Sequence, residues 1–308
     1  MGAVTVVGTG TIGLGWIALF AAHGLPVRVN SRRPDADRVV WAALEMFAPA
    51  LPGAPDPVAL HDSITFEPDL ARAVADADVV SENAPDDLEL KQELFAAVEE
   101  SGSRALLLSS TSKLVPDDLG ARMKDPGRLV VAHPFNPPHL VPLVEVVAGV
   151  ATDAAAVDEA MAFLRSVGRH PVLLRRALPA FAANRLQSAL LRECIHLVVE
   201  GVVTVPELDE VVTHSIGLRW ATMGPFQAFH LGGGEGGLRR WLSHLGSGLE
   251  QGWRQLGTPA MTDETRELLV TQTEQAYGDR TYAGLVAERD RLHLTVLDAL
   301  ARARAEPS

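Results

Sequence analysis

The sequence predicts an α/β fold, with a Rossmann-type, mainly parallel sheet domain followed by an all-helical C-terminal domain. Three observations predict it. Short apolar runs alternate with helical patterns up to about residue 178, a GxGxxG loop directly follows the first run, and helical periodicity dominates the rest. Apolar strands separated by helices are typical of a parallel sheet that is covered on both faces.

The elements of the first domain follow from this periodicity. AVTVV predicts the first strand, Thr11 to His23 a helix that Gly24 ends, PVRVN the second strand, and residues 35–47 a second helix. APALPGAPDP is rich in proline and glycine and predicts a solvent loop. The later strands are predicted at SITF, DVVSE, ALLLSS, RLVVAHPF, VEVVAG and HPVLLR.

The predicted domain boundary lies near residues 178/179, where Pro179 marks the link. Residues 1–178 form the predicted dinucleotide-binding domain, and residues 179–308 a helical domain for substrate binding and dimerisation. FAANRLQSALLRECIHLVVEG, which opens this second domain, carries apolar residues at helical spacing. GGGEGG (Gly232 to Gly237) predicts a junction between helices.

Composition excludes several classes of function. The formal net charge of -12 argues against a nucleic-acid or anionic-membrane surface. No apolar run approaches the roughly 18 residues of a membrane span, and no signal peptide is evident, so we expect a cytoplasmic protein. The single cysteine, Cys194, predicts a buried small hydrophobe, and no group of side chains has metal-ligand spacing.

The glycine-rich loop GTGTIG predicts a dinucleotide site. Gly8 permits the tight turn, Gly10 lets the backbone approach the pyrophosphate, and Gly13 lets the helix pack closely on the strand. Thr11 and Ile12 lie in the same loop, at the start of a helix whose N-terminus stabilises phosphate charge.

The end of the second strand bears on the choice of cofactor. An acidic residue usually stands there and hydrogen-bonds the ribose of NAD, but this chain has Asn30, followed by Ser31, Arg32 and Arg33. Loss of the carboxylate, with a hydroxyl and two guanidinium groups nearby, predicts NADP(H) in preference to NAD(H). The alternative is that the arginines are solvated and that Asn30 is a neutral replacement in an NAD enzyme.

Three spaced motifs carry the predicted chemistry. SSTSK ends one strand, HPFNPPHLVPLVEVV follows another, and FAANRLQ opens the helical domain. Together they resemble the 3-hydroxyacyl-CoA dehydrogenase family over essentially the full chain. The resemblance is nearest to its short branch, which includes lambda-crystallin/L-gulonate 3-dehydrogenase and carnitine dehydrogenase, and GLRWATMGPF resembles the same branch.

The resemblance implies a catalytic pair, His133 and Glu145. An imidazole titrates near neutrality, so it can donate a proton in one direction of the reaction and accept it in the other. Ser112 and Asn184 match the hydroxyl and the amide that hydrogen-bond the reacting oxygen in this family. Both would stabilise negative charge on that oxygen.

The resemblance also implies residues around the cofactor. Asn136 matches a residue near the nicotinamide, and Asp86 with Lys91 matches a carboxylate–lysine pair on the cofactor side. Lys113 departs from the family and could hold a substrate carboxylate, or it could be a solvated surface residue. His139 is most simply a packing or surface residue, with a place in the lining of the substrate pocket as the alternative.

The predicted function is an NADPH-dependent 3-oxo reductase that makes an (S)-3-hydroxy acid or ester. Because cells keep NADP reduced, the predicted cofactor favours a biosynthetic role, and the profile resembles ketoreductases of aromatic polyketide (antibiotic) biosynthesis. The alternative is an NAD-dependent dehydrogenase of L-gulonate, carnitine or a 3-hydroxyacyl-CoA. Lys113 argues against a trimethylammonium substrate, and a purely structural protein is disfavoured by the intact catalytic set. The resemblance further implies a homodimer through the C-terminal domain.

Overall fold

The computed structural model describes residues 2–305, apart from the side chains at 245 and 247. It separates into two compact units. The first comprises the described residues up to Asn184 together with Ala287–Thr295, and the second comprises Arg185–Val286 and the described residues from Val296 onward. The predicted domain boundary near 178/179 stays a prediction, and residues 1 and 306–308 of the predicted domains lie outside the described residues.

The first unit contains an eight-stranded sheet with the order β3-β2-β1-β4-β5-β6-β7-β8. Neighbouring strands are parallel except β6 and β7, which are antiparallel. The predicted Rossmann-type, mainly parallel sheet is therefore confirmed. The strands are β1 Ala3–Val7, β2 Val27–Asn30, β3 Ile64–Phe66, β4 Ala77–Glu82, β5 Leu106–Ser109, β6 Leu129–Pro134, β7 Leu143–Val147 and β8 His170–Leu173.

Helices cover both faces of this sheet, as the apolar strands require. One buried cluster contains residues of α1, α2 and α6, and a second contains residues of α3, α4 and α5. The helices that flank the sheet are α1 Thr11–Ala22, α2 Ala36–Phe47, α3 Leu70–Val74, α4 Leu88–Glu100, α5 Pro116–Leu119 and α6 Ala154–Ser166.

The order of the strands reverses between β1 and β4, which are neighbours although two strands separate them in sequence. At such a switch point the loops that follow the two strands diverge to opposite faces and leave a crevice at the carboxyl ends. The glycine-rich loop follows β1 at this edge. The fold therefore places the predicted dinucleotide site where sheets of this kind bind ligands.

The segment predicted as a solvent loop, residues 48–57, is one only in part: residues 52–54 and 56 are exposed and belong to no helix or strand. Its first residues form a 3₁₀ helix, Ala48–Ala50, and a second 3₁₀ helix, Pro57–Ser63, begins where the segment ends. Ala48, Ala50, Leu51 and Leu60 are buried. Apolar side chains between the prolines therefore anchor this segment to the core, which proline and glycine content alone does not reveal.

The second unit is helical, as predicted. Its helices pack locally: α8 contacts α9 and α12, and α10 packs on α11 across the glycine-rich junction. Among the described residues, no helix is long and apolar enough to cross a membrane. The remaining helices are α7 Ala183–Val199, α8 Val205–Thr213, α9 Ile216–Thr222, α10 Pro225–Gly232, α11 Gly237–Gln255, α12 Asp263–Tyr277 and α13 Tyr282–Ala305, of which Ala287–Thr295 belongs to the first unit.

Candidate active site

A cleft of about 990 Å³ opens at the carboxyl ends of β1, β2 and β4. Its size and position suit a dinucleotide, since a cleft at the switch point is where this class of sheet binds one. Predicted cofactor residues line it, namely Gly8, Gly10, Thr11, Ile12, Asn30, Ser31 and Arg32.

The glycines of the loop are required for separate geometric reasons. Gly8 has a φ of +101°, a conformation that side chains rarely adopt, and a Cβ at Gly13 would lie 2.1 Å from the carbonyl oxygen of Gly8. A Cβ at Gly10 would meet no protein atom within 4 Å. Gly8 and Gly13 are therefore needed by the fold itself, whereas the space beside Gly10 is open to a ligand.

Most of the residues on which the NADP(H) prediction depends form hydrogen bonds or ion pairs with other residues of the protein. The Asn30 amide nitrogen donates to the carbonyl oxygens of Glu67 and Pro68, at 2.9 and 3.1 Å. The Ser31 hydroxyl lies 2.9 Å from that of Thr9. Arg33 forms an ion pair with Asp35 at 3.2 Å, and hydrogen bonds from Arg33 and Arg38 lower the pKa of Asp35 to about 2.

His133 and Glu145 face each other across the antiparallel pair β6/β7, at the same register position. Nδ1 of His133 lies 3.0 Å from Oε2 of Glu145, and both residues are at least 95% buried. An ionised carboxylate only accepts hydrogen bonds, so this partner assigns the ring proton to Nδ1 and leaves the Nε2 lone pair available. The pair therefore has the geometry of an oriented general base.

The other oxygen of Glu145 is held by the backbone. Oε1 accepts hydrogen bonds from the amide groups of Ala182 and Ala183, both at 2.9 Å. Burial acts to raise the pKa of Glu145, but the bonds from His133, Ala183 and Ala182 outweigh it and lower that pKa below its ordinary value. Phe181, which is fully buried with a φ of +48°, brings this turn against the His133 ring.

Asn184 lies beside His133 and links it to Ser112. The Asn184 amide nitrogen lies 3.5 Å from Nε2 of His133 and donates to the carbonyl oxygen of Ser112 at 3.4 Å. The Ser112 hydroxyl donates to Oδ2 of Asp86 at 3.0 Å. The structure thus brings together the four predicted catalytic residues, which come from β6, β7, the loop after β5 and the start of α7.

A charged residue that the sequence did not single out lies beneath this site. Glu82, at the end of β4, is fully buried, and its Oε1 lies 2.6 Å from Nζ of Lys91. Asp86, predicted as the partner of Lys91, lies farther from it, at 3.6 Å. The signal was a carboxylate inside the otherwise apolar strand DVVSE, where a charge needs a buried partner.

The remaining candidates lie at the edges of the site or outside it. Asn136 is exposed and precedes the cis peptide to Pro137. Lys113 is exposed, and no carboxylate of the described residues lies within ion-pair distance of its ammonium group. His139 is 2% exposed, stacks on Phe47 with ring centroids 4.2 Å apart, and lies 3.9 Å from Asp290, so it packs in the interior.

Comparison with known proteins identifies the family. The model of the 3-hydroxyacyl-CoA dehydrogenase NAD binding domain matches residues 3–177, and that of the family's C-terminal domain matches residues 181–278. The chain belongs to the 3-hydroxyacyl-CoA dehydrogenase family. It is an oxidoreductase that acts on CH–OH groups and contains an NAD(P)-binding domain.

Its similarity to characterised relatives extends over nearly the whole chain. It is 43% identical to an L-carnitine dehydrogenase of Streptomyces griseus, over 97% of this chain and 90% of the relative. It is 42% identical to an L-carnitine dehydrogenase of Streptomyces coelicolor, over 97% and 95%. A solved structure, 5-formyl-3-hydroxy-2-methylpyridine 4-carboxylic acid 5-dehydrogenase, described as an NAD⁺-dependent dismutase, matches with a TM-score of 0.79 at 28% identity, over 97% of this chain and 98% of that one.

These relatives overturn the predicted function. The sequence predicted an NADPH-dependent ketoreductase of polyketide biosynthesis, but the similar proteins are dehydrogenases of carnitine, a small 3-hydroxy acid. The error came from Asn30, from which cofactor preference, direction of reaction and biosynthetic role were all inferred. Identity that spans the chain outweighs one position, and it favours the alternative function.

Proposed function

We propose that this protein is a dehydrogenase that oxidises the 3-hydroxyl group of L-carnitine or a close analogue. The observation that supports it most is the identity of 43% over nearly the full chain to an L-carnitine dehydrogenase. The buried His133–Glu145 pair supplies the base that this oxidation requires. L-Gulonate and 3-hydroxyacyl thioesters are the substrates to compare.

The chemistry assigns a task to each side chain. The dinucleotide, when bound, supplies the nicotinamide carbon that accepts the hydride from the carbon bearing the hydroxyl. Nε2 of His133 accepts the hydroxyl proton, and the charge on the imidazole is then balanced by Glu145, whose pKa is already below its ordinary value. The amide of Asn184 donates to the reacting oxygen as it gains negative charge in the reverse direction. The Ser112 hydroxyl, whose one proton is donated to Asp86 in the free protein, donates to that oxygen once it turns from Asp86 to the substrate, while the bond from the Ser112 backbone amide to Asp86 remains.

The proposed cofactor is NAD(H). Ser31 and Arg33, two of the residues expected at a 2′-phosphate, already have protein partners, and the anionic Asp35 lies beside Arg33. The family model is described as NAD binding. Arg32, with no partner among the described residues, is the one cation of this group left for a 2′-phosphate, so a comparison of the two cofactors tests NAD(H) against the NADP(H) preference that Asn30 predicts.

We also propose a homodimer through the helical unit. Helices α8, α9 and α10 bury none of their residues. Leu218 is 64% exposed, Phe226 77% and Trp253 61%. Exposed apolar surface of this extent is typical of a protein–protein interface. Light scattering of the purified protein at two concentrations tests whether it is a dimer.

The cytoplasmic location stays a prediction from the sequence.

The direct test of function is a substrate panel. Purified protein is incubated with NAD⁺ or NADP⁺ and L-carnitine, D-carnitine, L-gulonate or 3-hydroxybutyryl-CoA, and the absorbance of the reduced cofactor is followed. We expect L-carnitine to give the highest kcat/KM. If another substrate gave a kcat/KM at least tenfold higher than L-carnitine, that substrate would replace L-carnitine in the proposed function.

A further inference from the structure

A buried ion pair lies beneath the candidate active site and has no part in the chemistry assigned so far. Glu82 is fully buried and Lys91 is 1% exposed. Oε1 of Glu82 accepts hydrogen bonds from Lys91 at 2.6 Å and from the Ala84 amide at 2.6 Å, while Oε2 accepts one from Ser109 at 2.6 Å. Withdrawing two charges from water is costly, and in compensation Glu82 accepts three hydrogen bonds and Lys91 donates two.

The pair extends to Asp86. The second acceptor of the Lys91 ammonium is the carbonyl oxygen of Ala84, at 2.9 Å, and Oδ1 of Asp86 lies 3.6 Å away. Lys91 therefore lies between two carboxylates and is bound more closely to Glu82. Glu82 fixes the ammonium group, and the ammonium group determines the electrostatic environment of Asp86.

Asp86 in turn fixes Ser112. Its Oδ2 accepts two hydrogen bonds from this residue, from the backbone amide at 3.1 Å and from the hydroxyl at 3.0 Å. One carboxylate oxygen thus holds both the backbone and the side chain of Ser112. The Ser112 carbonyl oxygen accepts from Asn184, so the connection continues to the residue beside His133.

We propose that Glu82 and Lys91 are positioning residues, which act through Asp86 to hold Ser112 at the reacting oxygen. The inference rests on the proposed function, because it requires Ser112 to contact the substrate. Neither Glu82 nor Lys91 has to touch substrate. A displacement of Asp86 by a few tenths of an ångström would move the Ser112 hydroxyl with it, and catalysis is sensitive to errors of this size.

The test removes the pair and keeps the volume. Glu82→Gln alone leaves Lys91 with a buried, poorly compensated charge and endangers folding, so the main variant is Glu82→Gln/Lys91→Met. It is compared with wild type in two backgrounds, with Ser112 present and with Ser112→Ala. Steady-state kinetics give kcat and KM, and single-turnover measurements give the rate constant of hydride transfer itself. Thr5→Val, which removes a buried hydroxyl bonded to the carbonyl oxygen of Ala73, is the matched control for a defect in the core.

A positioning role and a purely structural role of the Glu82–Lys91 pair predict different results when its removal is compared in the two backgrounds. If the pair acts through Ser112, its removal lowers kcat at least tenfold in the wild-type background, less than twofold in the Ser112→Ala background, and leaves KM for the cofactor nearly unchanged. Thr5→Val leaves kcat within twofold. Equal fold losses in both backgrounds would overturn the proposal in favour of a structural role, and so would a kcat within twofold of wild type.

Two further measurements keep this proposal separate from the proposed function. Asp86→Glu keeps acceptors for both Lys91 and Ser112 and should retain most activity, whereas Asp86→Asn must turn its donor NH2 group toward one of these donors and should lose it. A crystal structure of Glu82→Gln/Lys91→Met should show Oδ2 of Asp86 more than 3.5 Å from Oγ of Ser112, whatever the substrate is. Both bonds intact in that structure would refute the positioning role, while a wild-type protein inactive on every 3-hydroxy acid would refute the function alone.

Discussion

Oε2 of Glu145 lies 3.0 Å from Nδ1 of His133, on the residue directly opposite in the neighbouring antiparallel strand. Residues 135–142 connect β6 to β7, and the register of this strand pair determines the distance between the two side chains. Two backbone amides hold the other carboxylate oxygen. The orientation of the imidazole is thus a property of the sheet rather than of a mobile loop.

Neutralising this carboxylate should impair catalysis more than folding. Glu145→Gln can donate to Nδ1 and so favours the wrong tautomer of His133, and we expect kcat to fall by about 10²–10⁴-fold. Steady-state kinetics and circular dichroism measure the two effects. Glu159→Gln, an exposed position on α6, is the matched control, and a loss of less than tenfold in Glu145→Gln would argue against an orienting role.

Two alanine substitutions in the glycine-rich loop should differ in their effects: one lowers the stability of the free protein, and the other weakens cofactor binding. In Gly13→Ala the new Cβ would lie 2.1 Å from the carbonyl oxygen of Gly8, so we expect the loop to distort and stability to fall by about 1–3 kcal/mol. In Gly10→Ala the Cβ meets no protein atom within 4 Å, so stability should change little while the Kd for NAD⁺ rises at least tenfold. Urea unfolding and cofactor titration measure these quantities. Unchanged NAD⁺ binding in Gly10→Ala would place the pyrophosphate elsewhere.

A carboxylate at the end of β2 should separate the two cofactors. Asn30→Asp would repel a 2′-phosphate, and we expect it to lower kcat/KM with NADP⁺ at least tenfold while changing the value with NAD⁺ less than threefold. Arg32→Ala is the companion variant, because it removes the one guanidinium of this group without a protein partner. A ratio of NAD⁺ to NADP⁺ efficiencies that is the same in all three proteins would show that the adenosine ribose binds away from residue 30.

Lys113 should matter for substrate binding and not for hydride transfer. An exposed ion pair is worth about 1 kcal/mol or less, so Lys113→Ala should raise KM for a carboxylate substrate about two- to fivefold with kcat nearly constant. Lys113→Arg should retain the wild-type KM, and Lys124→Ala serves as a control at another exposed lysine. An unchanged KM in Lys113→Ala would make this residue a solvated surface cation.

Stability should depend on pH through His139. Burial lowers the pKa of His139 to about 4 from its ordinary 6.5, against the attraction of Asp290 and with smaller effects from Arg289 and Arg169. Below about pH 6.5 the unfolded chain binds a proton at this residue and the folded chain does not, so stability falls between pH 6.5 and about 4, by at most about 3 kcal/mol. His139→Gln should lack this component. Parallel urea-unfolding profiles for the two proteins from pH 7.5 to 4.5 would contradict the prediction.

The fold could be predicted from local signals, because strands of a covered parallel sheet are apolar throughout and the GxGxxG loop fixes where the sheet binds a dinucleotide. The catalytic roles of His133, Glu145, Ser112 and Asn184 were implied by a family resemblance and stay predictions, although the structure brings these residues together. The resemblance implied that Lys91 pairs with Asp86, and the two lie 3.6 Å apart, but the closer partner of Lys91, the buried Glu82, could not be predicted. A lysine on an amphipathic helix normally points to solvent, and only the packing of α4 on β4 places it against Glu82.

The sequence left His139 open between packing, the surface and the lining of the substrate pocket. Its neighbours, Phe47 and Asp290, come from distant parts of the chain, so only the folded structure shows that it lies in the interior. The incorrect prediction of the substrate depended on one position, Asn30, whose side chain donates hydrogen bonds to the carbonyl oxygens of residues 67 and 68. The absence of a carboxylate there carries less information about metabolic role than the sequence suggested.

The proposed function is tested most directly by the oxidation of L-carnitine by wild type and by His133→Ala in the presence of NAD⁺. We expect the wild-type protein to form NADH, and kcat to be at least 10²-fold lower in His133→Ala because the general base is lost. Full activity in His133→Ala would contradict the role of His133 as the base, and no NADH formation from L-carnitine by the folded wild-type protein at any accessible concentration would contradict the proposed function.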